Sequence, residues 1–162
     1  MSVQRNKLLS WLLALFVLLL VGVAAFYVLK PQLEPHVTLQ IGDGVFKARV
    51  AKTDAEREKG LGGTLKLRDD QAMLFVFGSD SKWSIWMKNM NYPIDVVWLN
   101  KEKKVVYIVK NAPPESYPYE TFEPKEDARY VIELPAGTAD KKKIVIGKEA
   151  AFDENHIEGW NI

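Results

Sequence analysis

A chain of 162 residues with 48% hydrophobic, 11% aromatic and 27% charged side chains has the composition of one folded domain, not of a disordered segment. Beyond Arg5, Lys7 and Lys30 the chain carries 19 basic against 21 acidic residues, a balance that argues against nucleic-acid binding, which needs clustered Lys and Arg. Cysteine is absent and only His36 and His156 are present, which excludes disulfides and thiolate nucleophiles and disfavours a Ser-His-Asp triad; neither a metal nor a cofactor is expected.

Residues 1–7, with Arg5 and Lys7, read as a cytoplasmic stub. Leu8 to Leu29 holds no charge, and about 20 such helical residues cross a hydrocarbon core of roughly 30 Å. Trp11 and Tyr27 lie near its two ends, where amphipathic rings favour the interface. The segment reads as a single transmembrane anchor at the cell membrane, with the N-terminus cytoplasmic and the following domain extracytoplasmic. The alternative is a cleaved signal peptide, with Val23-Ala24-Ala25 at the cleavage site and a secreted product; the apolar run exceeds the usual 7–15 residues.

Residues 30–36, with two prolines, form a stiff linker. From 37 to 152 strand signals dominate. Val37–Ile41 and Val45–Ala51 flank the hairpin signature Gly42-Asp43-Gly44. Thr53 and Glu56 make a capping box for a short helix that Gly60 ends. Further strands are expected at 72–77, 83–87, 94–99, 105–109, 130–134 and 144–146. Lys141-Lys142-Lys143 reads as a solvated turn. The Pro-rich stretch 111–127, with Tyr117, Tyr119 and Phe122, reads as a long loop, either a cover over one barrel mouth or a ligand-facing flap. Residues 153–162, with Trp160, form a tail. The predicted fold class is a strand-rich α+β domain, compact and partly closed like a β-barrel, with one or two short helices, following the single transmembrane helix.

The residues best suited to chemistry lie in Trp86-Met87-Lys88-Asn89-Met90-Asn91-Tyr92-Pro93-Ile94-Asp95, between two apolar runs. If 83–88 and 94–99 form a hairpin, Lys88 pairs with Asp95, and Trp86 with Val97 below them. Asp95 has two readings: a clamp accepting N–H bonds from the Asn89–Tyr92 loop, or part of a polar pocket with Lys88 and Asn89. Glu133 is a second lone carboxylate inside a strand, read as a local salt bridge with Arg129 or as a partner of Asp95 in glycosidase-like chemistry. Trp83, Trp86 and Trp98 read as core before they read as a stacking platform. Met73, Met87 and Met90 lack the Cys or His partners a soft metal would need.

Several separated blocks also match a known pattern in order and spacing: Gly60-Leu61-Gly62-Gly63, Ala72-Met73-Leu74-Phe75-Val76-Phe77, Trp86-Met87-Lys88-Asn89-Met90, Pro93-Ile94-Asp95, Asn111-Ala112-Pro113-Pro114 and Tyr130–Gly137. Together they resemble the family called Domain of Unknown Function 192, over roughly residues 37 to 152. The resemblance implies one small β-rich fold in proteins often secreted or membrane-tethered, and directs attention to Lys88, Asn89, Asp95 and Glu133; it implies no reaction. Thr64 stands where many members carry Arg, and Ala72 where Gly usually precedes Met-Leu-Phe. An anion contact made by that arginine would be lost here.

These readings converge on a membrane-anchored extracytoplasmic domain binding a small polar ligand, an envelope glycan or a protein partner. Its candidate contacts are Trp86, Lys88, Asn89, Asp95, Glu133 and Asn111. A non-enzymatic binding module is favoured; an envelope hydrolase using Asp95 and Glu133, and a purely structural assembly module, are the alternatives.

Overall fold

The computed structural model describes residues 2–29, 36–154 and 157, which fall into two separate units divided after Pro35. The first unit is the helix α1, Ser2–Leu29, so the helix begins well before Leu8. Its described side chains, residues 11–27, are all exposed. At about 1.5 Å per residue that stretch alone measures roughly 25 Å. Among the described residues no helix is long and apolar enough to cross a membrane.

The second unit is built on a seven-stranded sheet of order β5-β4-β6-β3-β2-β1-β7. β1 (His36–Ile41) and β2 (Gly44–Ala51) form the expected hairpin, paired from His36↔Arg49 to Ile41↔Gly44. Thr53 caps α2 (Asp54–Lys59) through a complete capping box, its side chain accepting from the Glu56 N–H while Glu56 accepts from the Thr53 N–H. β3 (Gln71–Ser81) then lies parallel to β2, the one parallel pair in a largely antiparallel sheet that also holds β4 (Ile94–Leu99), β5 (Val105–Ala112) and β6 (Ala128–Pro135).

The sheet curls into a half-barrel. At one end Gly147–Ala151 joins its two edges: β7 (Ala150–Ala151) pairs with β1, while Lys104↔Glu149 forms a bridge beside the start of β5. Period-two alternation sorts the side chains between two cores. Leu39, Phe46, Leu74, Val97, Ile132 and Leu134 fill the concave interior. Met73, Phe75, Phe77, Val96, Trp98 and Val131 face outward, where the chain between the strands covers them. Both faces of β4 are therefore buried, which explains its unbroken apolar run.

Two expected strands do not form. Residues 83–87 stay irregular apart from a bridge between Ile85 and Phe122, which exchange both backbone hydrogen bonds at 2.8 Å. The segment pairs with the long loop because β4 is already flanked by β5 and β6. Residues 144–146 follow a short helix α3 (Thr138–Lys141) as a turn, with Ile144 buried and Val145 and Ile146 exposed. The linker 30–35 and Trp160 lie outside the described residues. Within the expected tail, Glu154 accepts from the Tyr130 hydroxyl at 2.8 Å and Ile157 joins the interior core, so the domain extends past 152.

Candidate ligand site

The site starts from a row of residues set across the sheet by register. Arg49 on β2 pairs with Met73 on β3, Met73 with Glu133 on β6, and Glu133 with Val96 on β4. All four point to the convex face. Arg49 donates to the Gly60 carbonyl at 2.8 Å and to the Met73 sulfur at 3.3 Å. Glu133 is 4% exposed, and its Oε2 has no hydrogen-bond partner. Burial pushes its carboxyl up to about 8, against a smaller opposing pull from the Arg49 charge. At neutral pH the group is therefore largely a protonated, neutral carboxylic acid.

Above Glu133 lies a cavity of about 440 Å³. Phe75 and Phe77 of β3 reach it because their parity matches Met73. Leu61, Ile85, Trp86 and Met90 come from the loops around them. Gly60 holds a positive φ of 47°, and a Cβ there would lie 3.3 Å from the Phe75 ring. Two of the three cations at the rim are matched by acids, Lys59 being the third. Arg57 pairs with Asp54 and donates to the Lys52 and Val76 carbonyls, and Lys88 donates to Glu58 at 3.1 Å. These cations also lie on aromatic faces, Arg57 at 5.1 Å from the Phe77 centroid and Lys88 at 4.9 Å from Trp86.

The Pro-rich loop forms one wall. Thr121 lines the cavity, Tyr117 meets Trp86 edge-on at 6.4 Å, and the Ser84 hydroxyl donates to Glu123 at 3.1 Å. Thr64 lies beside the site. Its hydroxyl lies 2.6 Å from the Tyr92 hydroxyl and donates to the Leu61 carbonyl. Burial, and secondarily Glu133, raise the Tyr92 phenol above its ordinary range, with Thr64 pulling the other way.

The expected constellation divides. Trp86, Lys88 and Glu133 come together in the cavity, while Asn89 borders a smaller neighbouring hollow of about 220 Å³. Asp95 does not join them. It occupies the concave face, completely buried, where Oδ1 accepts from the N–H groups of Asn111 (2.9 Å) and Gly137 (3.2 Å) and Oδ2 from Ala139 (2.7 Å). The carboxylate of Asp95 does accept backbone N–H bonds, but its donors come from the end of β5 and the start of α3, not from residues 89–92. Asn111 contributes only its backbone; its side chain is exposed.

Three expectations are thereby corrected. Lys88 pairs with Glu58 rather than Asp95, because residues 83–88 never form a strand beside β4. Asp95 and Glu133 cannot act as a catalytic pair: Glu133 lies opposite Val96, so it shares that residue's face and not that of Asp95. Arg129 pairs with Asp80 at 2.7 Å instead of Glu133. Trp83 stacks on Phe77 at 4.2 Å and Trp98 is buried with its indole N–H donating to the Trp83 carbonyl, so both are core. Sequence reading missed Arg49, Arg57 and Phe77; Arg49 shares β2 with a second cation, Lys47, so residue type alone did not mark it. Among the described residues no cluster of His, Asp or Glu could hold a metal.

The family model of DUF192, described as uncharacterized ACR, matches residues 37–152. A UPF0127 protein of Thermococcus sibiricus is 30% identical over 109 residues, covering 66% of each chain, just under two thirds of that relative's length. A solved structure from Sinorhizobium meliloti 1021, described as a "putative transcription regulator", superposes with a TM-score of 0.69 at 25% identity, over 74% of this chain and 95% of that one. A protein of unknown function from Novosphingobium aromaticivorans gives a TM-score of 0.65 at 27% identity, over 72% and 83%.

Proposed function

The chain belongs to the DUF192 family, and from that premise we propose that it is a membrane-anchored domain that binds a small molecule in the cavity above Glu133. One observation carries the reading: Glu133, a buried carboxyl with one oxygen that no group of the fold partners, lines a cavity of ligand size. Buried polar groups in folded proteins are nearly always hydrogen-bonded, and an orphan costs about 1–3 kcal/mol. A ligand that supplies the missing partner recovers that cost on binding. Its body is apolar, to match Phe75, Phe77, Ile85 and Trp86, with one polar tip for Glu133.

A glycan or a flat protein surface fits less well, since the polar group lies at the base of a concave site and not on its rim. The description of the Sinorhizobium protein is not carried over, because this domain lacks the basic excess that phosphate contacts require. To test the reading, the full chain in nonionic detergent is screened for thermal shifts against small amphipathic molecules, beside Glu133→Gln. Compounds that stabilise the native protein, with an altered response in the still-folded variant, support the site. Hits that shift both proteins equally overturn it.

The anchor rests on the sequence of α1. No described helix is long and apolar enough to cross a membrane, so the reading rests on the residues alone: Leu8–Leu29 is an uncharged, apolar run of the length a hydrocarbon core of roughly 30 Å requires, and the preceding Arg5 and Lys7 favour a cytoplasmic N-terminus. The full chain is expected to stay with membranes through alkaline carbonate washing, with residues beyond 36 open to protease from the outside only. Release into the wash, or a shortened secreted product beginning near Ala25, defeats the anchor.

A further inference from the structure

We propose that the Glu133 cavity selects organic cations, taking a ligand with an apolar or aromatic body and a terminal ammonium that docks on Oε2. The inference rests on the small-molecule reading above and adds the charge of the ligand. Three observations carry it.

The acceptor is spare and buried: Glu133 is 4% exposed, lines the cavity, and its Oε2 receives no hydrogen bond. An ammonium brings charged donors to a carboxylate, and such bonds are about twice as strong as neutral ones. Next, two of the three cations at the rim, Arg57 and Lys88, are already engaged, while Lys59 is exposed. Arg57 is held by Asp54 and two backbone carbonyls, and Lys88 by Glu58. An anionic ligand would have to break those pairs or rely on Lys59 alone, at the exposed edge of the cavity. Last, the walls present aromatic faces. Trp86 and Phe77 each already hold a cation of the protein at about the distance of a cation–π contact, which shows that these rings suit positive charge, although Trp83 and Arg57 together cover both faces of Phe77.

The groups facing Glu133 set the proton balance. Arg49 lies one strand beyond Met73, with a guanidinium N–H committed to Gly60, and Tyr92 approaches from the loop before β4. Arg57, Glu58, Lys59 and Lys88 stand at the rim. Before binding, burial keeps Glu133 mostly protonated at neutral pH. The ammonium arrives already protonated, Glu133 ionises between it and the Arg49 charge, and the displaced proton passes to the buffer. No covalent bond is made or broken.

The experiment uses the full chain in nonionic detergent and three matched probes: 2-phenylethylamine, 2-phenylethanol and 3-phenylpropanoate. Calorimetry at pH 7 is run in two buffers of different ionisation enthalpy, with Glu133→Gln as the blank for partitioning into micelles. The amine is expected to bind at least about tenfold more tightly than the alcohol or the carboxylate, as one charge-assisted bond allows. It should release a proton to the buffer, and Glu133→Gln should lose both the preference and the proton. If the alcohol or the carboxylate binds as well as the amine in a Glu133-dependent manner, the small-molecule reading survives and the cation inference falls. Amine binding without proton release, or unchanged in Glu133→Gln, also overturns it. If no probe binds, the cation inference fails, and the screen described above decides the broader reading separately.

Discussion

Asp95 and Glu133 are both carboxylates buried within one sheet, on adjacent strands, yet their surroundings make them opposites. Asp95 faces the concave core and receives three backbone N–H bonds. They tie the end of β5 to the start of α3, a helix whose own N-cap, Gly137, offers no side chain. Glu133 faces the convex side and lines a cavity there, with one buried oxygen unpartnered. The contrast teaches that burial alone does not distinguish a structural acid from a functional one. The distinction lies in whether the fold itself provides the partners.

The strongest way to sharpen this comparison is to neutralise each acid without changing its shape. Asp95→Asn turns one accepting oxygen into a donor facing an N–H, and should cost about 3 kcal/mol, read as a lower urea midpoint with unchanged slope. Glu133→Gln should do the reverse at alkaline pH. The folded-state pKa of Glu133 lies above its unfolded value, so its protonated form is tolerated at low pH and stability is lost as pH rises towards about 8. The native protein should therefore fall behind Glu133→Gln by roughly 4 kcal/mol at pH 8.5 and match it near pH 4.5, since the carboxyl moves from 4.5 to about 8 and one pKa unit is worth about 1.4 kcal/mol. A melting-temperature difference that does not change with pH would break the comparison.

A smaller effect tests the Asp95 clamp from its other side. Gly137 sits at φ 78° with open space where a Cβ would be, so Gly137→Ala should cost only the left-handed conformation, about 1 kcal/mol. A loss of several kcal/mol would mean that the clamp itself had been broken. Smallest of all is Lys88→Ala. The Lys88–Glu58 pair is partly exposed, so stability should change by no more than about 0.5 kcal/mol. A large loss would make this rim pair structural.

Much of the frame was legible because it is local. The β1–β2 hairpin follows from alternation around Gly42-Asp43-Gly44, and the capping box from Thr53 and Glu56 alone. Within each strand, parity placed Asp95 apart from Val96 and Glu133 apart from Leu134. Strand pairing was not legible. Residues 83–87 carry strand-like alternation but find their partner in Phe122, some 37 positions away. The polar residues gathered between Trp86 and Asp95 suggested a single site because they are close in sequence. In the fold, Trp86 and Lys88 turn to the convex face and Asp95 to the concave one.

The sequence by itself determined a strand-rich domain with its first hairpin and capped helix, and family membership, all written in composition, period and ordered motifs. Only the tertiary structure decided which carboxylate is clamped and which is left open. Register between non-neighbouring strands puts Arg49, Met73 and Glu133 in one row, and loop closure places Trp86, Lys88 and Thr121 above it. A hydrogen bond needs its partner within about 3 Å, and the partners that Asp95 gains and Glu133 lacks are set by long-range packing that no local pattern encodes.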